Sequence, residues 1–255
     1  MDAFHGGNIM KIKLTDGSVL ELSEGTTVAG VAGAISEGLK RNAIAGKVNG
    51  HLADLSHVIN EDAEVTIITL KDPEGLNIYR HTCAHVLAQA IKHIYPTCAL
   101  AIGPTVENGF YYDVDFKTPI TQDDLAKIEE EMKKIIKGNF PIERFELPRE
   151  DAIKLMTKYK EPYKVELIND LPEDSVISFY KQGDFTDLCR GPHLPSTGLI
   201  KAFKLTTLAG AYWRGNEKNK MLTRIYGTAF IKKADMDAYF TMLEEAKKRD
   251  HTKLG

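Results

Sequence analysis

At 255 residues and a formal net charge of −3, the chain has room for two domains of about 100–200 residues. It lacks the basic excess of a protein that grips long nucleic acid by bulk electrostatics. A hydrophobic content of 43% excludes a disordered chain; no apolar run approaches the about 20 residues that a bilayer demands, and residues 1–10 show no secretory signal.

Residues 9–14 alternate apolar and polar side chains as a half-buried strand does, Asp16-Gly17 is a hairpin turn, and residues 19–22 form the return strand. Thr26 and Thr27 can cap a helix running to about Leu39, with Val28, Val31, Ala32 and Ile35 on its apolar face. Residues 43–48 predict a third strand turned by Asn49-Gly50, and residues 65–70 a closing strand. This order is that of a small β-grasp sheet, assigned to residues 1–71. Asp72-Pro73-Glu74-Gly75 reads as a break, followed by a long helix that Pro96 stops after Tyr95. Beyond it, residues 102–115 read as loop and strand, 121–137 as an amphipathic helix, 140–147 as a strand and 149–159 as a helix. Further strands are expected over 164–168, 176–180, 202–208 and 224–229, with a last helix from about Ala234. The fold class is therefore α+β: a β-grasp domain (1–71), a larger mixed α+β domain (72–233) and a charged helix leading out of it (234–255).

Three cysteines, Cys83, Cys98 and Cys189, make an odd, sparse set that argues against a disulfide framework and for a reducing, cytoplasmic setting. Lysine clusters such as Lys133, Lys134 and Lys137 read as solvated faces, though a local patch can still meet one RNA end. Two spacings carry chemistry. His81 and His85 stack one turn apart on the long helix, on the side away from its apolar stripe of Tyr79, Cys83, Val86, Leu87, Ala90, Ile91 and Ile94. Cys189 and His193 flank a Gly-Pro turn that can bring thiol and imidazole toward one point. Each pair has a plainer reading, as exposed helix histidines and as a buried cysteine beside an incidental loop histidine. Together they offer three imidazoles and a thiol, which suit either a tetrahedral zinc or acid–base work on a water molecule. The exposed histidine face needs a cover, and the Cys189 loop is the candidate.

Arg80-His81-Thr82-Cys83-Ala84-His85, Gly103-Pro104 with Asn108-Gly109-Phe110-Tyr111-Tyr112-Asp113, and residues 187–193 resemble, in order, the editing signatures of threonyl-tRNA synthetases. Ala209-Gly210-Ala211-Tyr212-Trp213-Arg214-Gly215 is similar to the end of that domain. Residues 9–70 resemble the family's TGS domain, and residues 247–255 the helix entering its catalytic domain. The resemblance implies an N-terminal fragment that hydrolyses mischarged seryl-tRNA(Thr), an aminoacyl-tRNA deacylase that is part of a threonine–tRNA ligase but without the domain that charges tRNA. A site shaped for threonine rejects the smaller serine only weakly, by about 10–200-fold, so a second, hydrolytic site is needed. Carried over residue by residue, the resemblance implies a pocket of His81, His85, Cys189 and His193, with Lys164 as a catalytic lysine. Lys164 and His81 would hold and activate the water. Tyr112 and Asp187 would contact the seryl group and ribose, with Gly103 in the wall. It further implies no metal in this pocket, although alanyl relatives place zinc on the same four ligands, while ATP and a catalytic zinc would belong to the absent domain. The partner would be the acceptor end of tRNA(Thr) carrying serine, and the full enzyme would be a homodimer through the absent domain. The rival readings are a freestanding trans-editing factor and a non-catalytic tRNA-binding or regulatory module; no P-loop motif is present to suggest nucleotide hydrolysis.

Overall fold

The computed structural model describes residues 7–255; the start of the stretch read as lacking a secretory signal, residues 1–6, lies outside them. No helix among the described residues is long and apolar enough to cross a membrane. The chain divides into two compact units, one running up to Ile78 and including Gly191–Pro195, the other comprising Tyr79–Arg190 and Ser196–Gly255.

In the first unit, strands β1 (Ile9–Lys13) and β2 (Val19–Ser23) pair antiparallel through the Asp16-Gly17 turn. Gly17 sits at φ +86°, and the Asp16 carboxylate accepts the Ser18 amide. A short strand β3 (Thr26–Thr27) leads into α1 (Val28–Ile35), where the Thr27 hydroxyl accepts the Gly30 amide as N-cap. The helix expected to reach Leu39 is broken. Ser36 takes an extended backbone and its hydroxyl caps a second helix, α2 (Glu37–Asn42), by accepting the Leu39 amide. Strands β4 (Ala43–Val48), β5 (His51–Asp54), β6 (Val58–Ile59) and β7 (Ala63–Thr69) follow. Asn49 and Gly50 both take positive φ, as a two-residue turn between β4 and β5 requires. The main sheet runs β2-β1-β7-β4-β5, with β1 and β7 parallel at its centre, which is a β-grasp arrangement. Met10, Ile12, Val28, Val31, Ile59, Ala63 and Val65 form the core between helix and sheet.

The break expected at residues 72–75 is the first turn of helix α3 (Pro73–Ile94). Pro73 has no amide to lose there, the Asp72 carboxylate accepts the Thr69 amide, and a Cβ on Gly75 would lie 2.0 Å from the Thr69 carbonyl oxygen. The two units therefore divide inside α3, after Ile78.

In the second unit, β8 (Ala99–Leu100), β9 (Thr105–Val106) and β10 (Gly109–Asp115) follow α3. Next come α4 (Leu125–Gly138), β11 (Ile142–Glu146), α5 (Arg149–Lys158), α6 (Pro162–Asp170), β12 (Ser178–Gln182) and β13 (Phe185–Leu188). Strands β14 (Ala202–Tyr212) and β15 (Met221–Phe230) and helix α7 (Lys233–Lys253) complete it. Two sheets result, β14-β15-β10-β8 and β11-β12-β13. From Ile78 to Ile91 every α3 residue except His81 is buried, so this stretch is a central helix rather than a surface one with a single apolar stripe. The strand expected over residues 164–168 is instead α6: Pro162 opens it, and Val165 and Ile168, whose β-branching suggested a strand, lie three apart on one side packed against Met156 and Phe179. The strand expected over 176–180 starts two residues later, leaving Val176 exposed.

Candidate active site

Within the second unit, α3 sets His81 and His85 one turn apart, their rings meeting edge to face with centroids 5.1 Å apart. Alternation along β13 turns Phe185 and Asp187 inward and leaves Thr186 and Leu188 less buried. The strand is anchored by the pairing of Asp187 with Tyr180. Cys189 follows it, its amide donating to the Ser178 carbonyl and its own carbonyl accepting the Ser178 hydroxyl. On β10 the same alternation sends Phe110, Tyr112 and Val114 to the buried side. Helix α6 contributes Lys164 from its first turn.

These elements converge on a buried polar chain. The Lys164 ammonium, 3% exposed, donates to the Tyr112 hydroxyl at 2.9 Å and lies 3.0 Å from Asp187 Oδ1. The Tyr112 hydroxyl donates in turn to Asp187 Oδ2 at 2.7 Å, and His85 Nε2 lies 3.5 Å from the same oxygen. His81 Nε2 and the Cys189 sulfur are 3.5 Å apart. The reading of His81 and His85 as an exposed face is thus corrected. His85 is buried and His81 only partly exposed, because β13 and the residue after it close over the helix. Lys164 lies on helix α6 and not on the strand expected over residues 164–168, and its ammonium is desolvated and paired.

Burial sets the protonation states. It lowers the His81 pKa to about 4 against the opposing pull of Asp187, and the His85 pKa to about 3. Both imidazoles are neutral at pH 7, each with a lone pair able to accept a proton. Burial alone would raise the Asp187 pKa, but the Lys164 ammonium, His85 and the hydrogen bonds from Tyr112 and Lys164 outweigh it and hold the carboxyl below its usual range. Burial and the neighbouring Asp187 push the Tyr112 phenol well up, so it stays a neutral donor. Cys83 is fully buried and burial raises its thiol pKa, which leaves it a packing residue.

Gly103 belongs to this site by packing. A Cβ there would fall 2.2 Å from the Tyr112 ring, so any side chain would displace the tyrosine that bridges Lys164 and Asp187. His193 is buried and lies in the Gly191–Pro195 segment of the first unit, where its amide donates to the Asp54 carboxylate at 2.9 Å. Sequence reasoning missed Ser178, which fixes the Cys189 backbone from β12; a lone serine at a strand start gives no signal of that role.

His81, His85 and Cys189 present ligand atoms within 4.8 Å of one another. An imidazole nitrogen and a thiolate bound to one tetrahedral zinc stand about 3.5 Å apart, which the His81–Cys189 separation matches. The donor types and this spacing therefore fit a metal as well as a water-handling pocket.

Residues 177–226 match the family described as "Threonyl and Alanyl tRNA synthetase second additional domain", and residues 10–69 match the TGS domain. The chain is 62% identical over 247 residues to the threonine–tRNA ligase of Acetivibrio thermocellus, 60% to that of Clostridium tetani and 58% to that of Clostridioides difficile. Each match covers 97% of this chain and 39% of the relative; the chain spans about two fifths of the length of the curated relatives it matches.

Proposed function

We propose that this chain, a homologue of the threonine–tRNA ligases carrying a TGS domain and the second additional domain, hydrolyses the ester of seryl-tRNA(Thr). The observation that carries the reading is the buried chain Lys164–Tyr112–Asp187–His85 beside the His81–Cys189 pair. Water attacks the seryl carbonyl carbon and its proton passes to neutral His81. The carbonyl oxygen gains negative charge, which the Lys164 ammonium stabilises in a desolvated setting. The carbon–oxygen ester bond then breaks, and the ribose oxygen leaves with the proton, giving free serine and intact tRNA. Tyr112 and Asp187 fix Lys164 and contact the seryl group and ribose. The family resemblance adds His193, four residues after Cys189, to the set. The Gly103–Tyr112 contact leaves no room for a side chain at Gly103, which keeps the Tyr112 ring where it bridges Lys164 and Asp187.

Zinc held by His81, His85 and Cys189 would act as a Lewis acid and lower the pKa of its bound water. Lys164 supplies positive charge in the same region without one, and we assign the reaction to the protein groups alone.

The test is deacylation of seryl-tRNA(Thr) beside threonyl-tRNA(Thr) by the purified chain. Rapid release of serine with slow release of threonine is expected; equal rates, or none on either substrate, refute the assignment.

A further inference from the structure

The two histidines are half of a longer pattern. His81, His85, Gln89 and His93 recur every four residues along α3, so they form one polar stripe down a helix that is otherwise packed on apolar neighbours. Each member meets the β12–β13 hairpin or the residue just beyond it. His81 meets Cys189 and His85 meets Asp187. Gln89 donates to the Gln182 carbonyl at 3.2 Å and to Asp184 at 3.0 Å, and accepts the Gln182 side-chain amide at 2.9 Å. Farthest along, His93 Nε2 lies 2.9 Å from Asp184, while its Nδ1 lies 2.8 Å from Glu131 on α4. Gln89 and Gln182 are 1% and 0% exposed, so their reciprocal bonds are made away from water, where leaving either partner unmet is costly.

We propose that Gln89 and His93 are positioning residues, a latch that holds the β12–β13 hairpin in register on α3 and so sets the distance from the two catalytic-site histidines to Asp187 and Cys189. The proposal rests on the hydrolytic reading given above. One hairpin carries both halves: Asp184 at its turn is three residues before Asp187, and at Gly183, whose φ is +58°, an added Cβ would lie 3.3 Å from the Gln89 side-chain nitrogen. A strand slipping along a helix moves all its side chains together, so the turn end controls the catalytic end. The charges facing His93 favour the closed latch. Asp184 and Glu131 raise the His93 pKa against the opposing effect of burial, and Lys134, 3.8 Å from Glu131, is the one cation of α4 ion-paired to that carboxylate among the described residues.

The experiment uses the full chain with His93→Ala, Asp184→Asn, the double variant and His93→Gln, which keeps a donor for Asp184. kcat and KM for seryl-tRNA(Thr) are measured, together with hydrogen exchange at the Asp187 and Cys189 amides. A misplacement of about 1 Å costs up to roughly a hundredfold in rate. The single variants should therefore lose about ten- to a hundredfold in kcat with KM within about twofold, and His93→Gln should recover part of the loss. The double variant should be no worse than the poorer single one, because the two residues serve one contact. Exchange at both amides should quicken. Unchanged kcat, or additive losses with a matching rise in KM, overturns the proposal. Should the unaltered chain release no serine, the hydrolytic reading falls separately, and exchange decides: faster exchange in the variants supports the latch, and unchanged exchange refutes it. His93→Gln carries the test if His93→Ala does not fold.

Discussion

Replacing Lys164 with Ala separates a surface lysine from a buried one. The sequence places Lys164 on a strand over residues 164–168, with nothing in it to signal a buried charge. The structure places its ammonium at 3% exposure between the Tyr112 hydroxyl and Asp187. Removing one partner of a buried pair leaves the other charge uncompensated, at about 3–5 kcal/mol. At about 2–4 °C per kcal/mol for a domain of this size, the melting temperature should fall by roughly 6–20 °C. Adding Asp187→Asn to Lys164→Ala removes the stranded charge and should return part of the loss. The pH dependence has a definite sign. With the ammonium present, the Asp187 pKa is lowered, so its contribution is full above the unfolded carboxylate value and lost in acid. Without the ammonium, burial dominates and raises the folded-state pKa; the stability then present at low pH disappears as pH rises through that value. The gap between the two proteins should therefore close on acidification. Calorimetry at pH 7 and at pH 4 to 5 tests this. Melting of Lys164→Ala within about 2 °C of the unaltered chain at pH 7, less than one kcal/mol would produce, refutes the buried-pair account.

His81→Ala should lower the deacylation rate by about 10²–10⁴-fold with a stability change of about 1 kcal/mol or less, since the ring is partly exposed; a folded, fully active variant would remove His81 from the chemistry. Gly103→Ala forces a Cβ into the Tyr112 ring and should cost about 1–3 kcal/mol along with serine release, while unchanged activity would show that the wall is soft. Burial lowers the pKa values of His81 to about 4 and His85 to about 3, so the unfolded chain takes up their protons first. Stability should be full at pH 7 and fall as pH drops through 6 toward 4, and denaturant titrations of His85→Gln should show a shallower fall. Chelation should leave the deacylation rate unchanged; stoichiometric zinc together with loss of activity on chelation would assign the chemistry to the metal.

What the sequence disclosed and what it hid divide along physical lines. Asp16-Gly17 and Asn49-Gly50 announce their turns because positive φ demands those residues locally. The His81–His85 spacing places two rings on one helix face whatever the tertiary structure. Lys164, by contrast, acquires its role from Tyr112 on β10 and Asp187 on β13, 52 and 23 residues away, and nothing in its neighbourhood signals desolvation. Val165 and Ile168 pointed to a strand by their β-branching, and tertiary packing against Phe179 overrode that preference. The cover of the histidine face was legible as a need that the Cys189 loop could meet, but the burial of the rest of α3 was not: Thr82, Ala84 and Ala88 look neutral on a helical wheel, yet they are fully buried, since small side chains are what let a second layer approach.

The charges of the site explain why neutral imidazoles and a paired lysine work together on the proposed reading. With both histidines uncharged and Tyr112 protonated, Lys164 and Asp187 sum to zero, which is the condition under which a buried cluster is least costly. An aminoacyl ester brings its own ammonium, so the bound ground state carries one net positive charge. Attack by water places a negative charge on the former carbonyl oxygen while the water's proton makes His81 positive, so the net charge is unchanged and what changes is where the charge lies. Two unit charges 4 Å apart interact by about 4 kcal/mol at an effective dielectric of 20, so Lys164 opposes the substrate's ammonium before the reaction and attracts the oxyanion during it. That difference is transition-state stabilisation rather than uniform binding. A protonated His81 would also attract the oxyanion, but it would have no lone pair to take the water's proton. The burial that lowers the His81 pKa thus serves the reaction by keeping that lone pair free until water attacks, while Lys164 is the cation already in place before the proton moves.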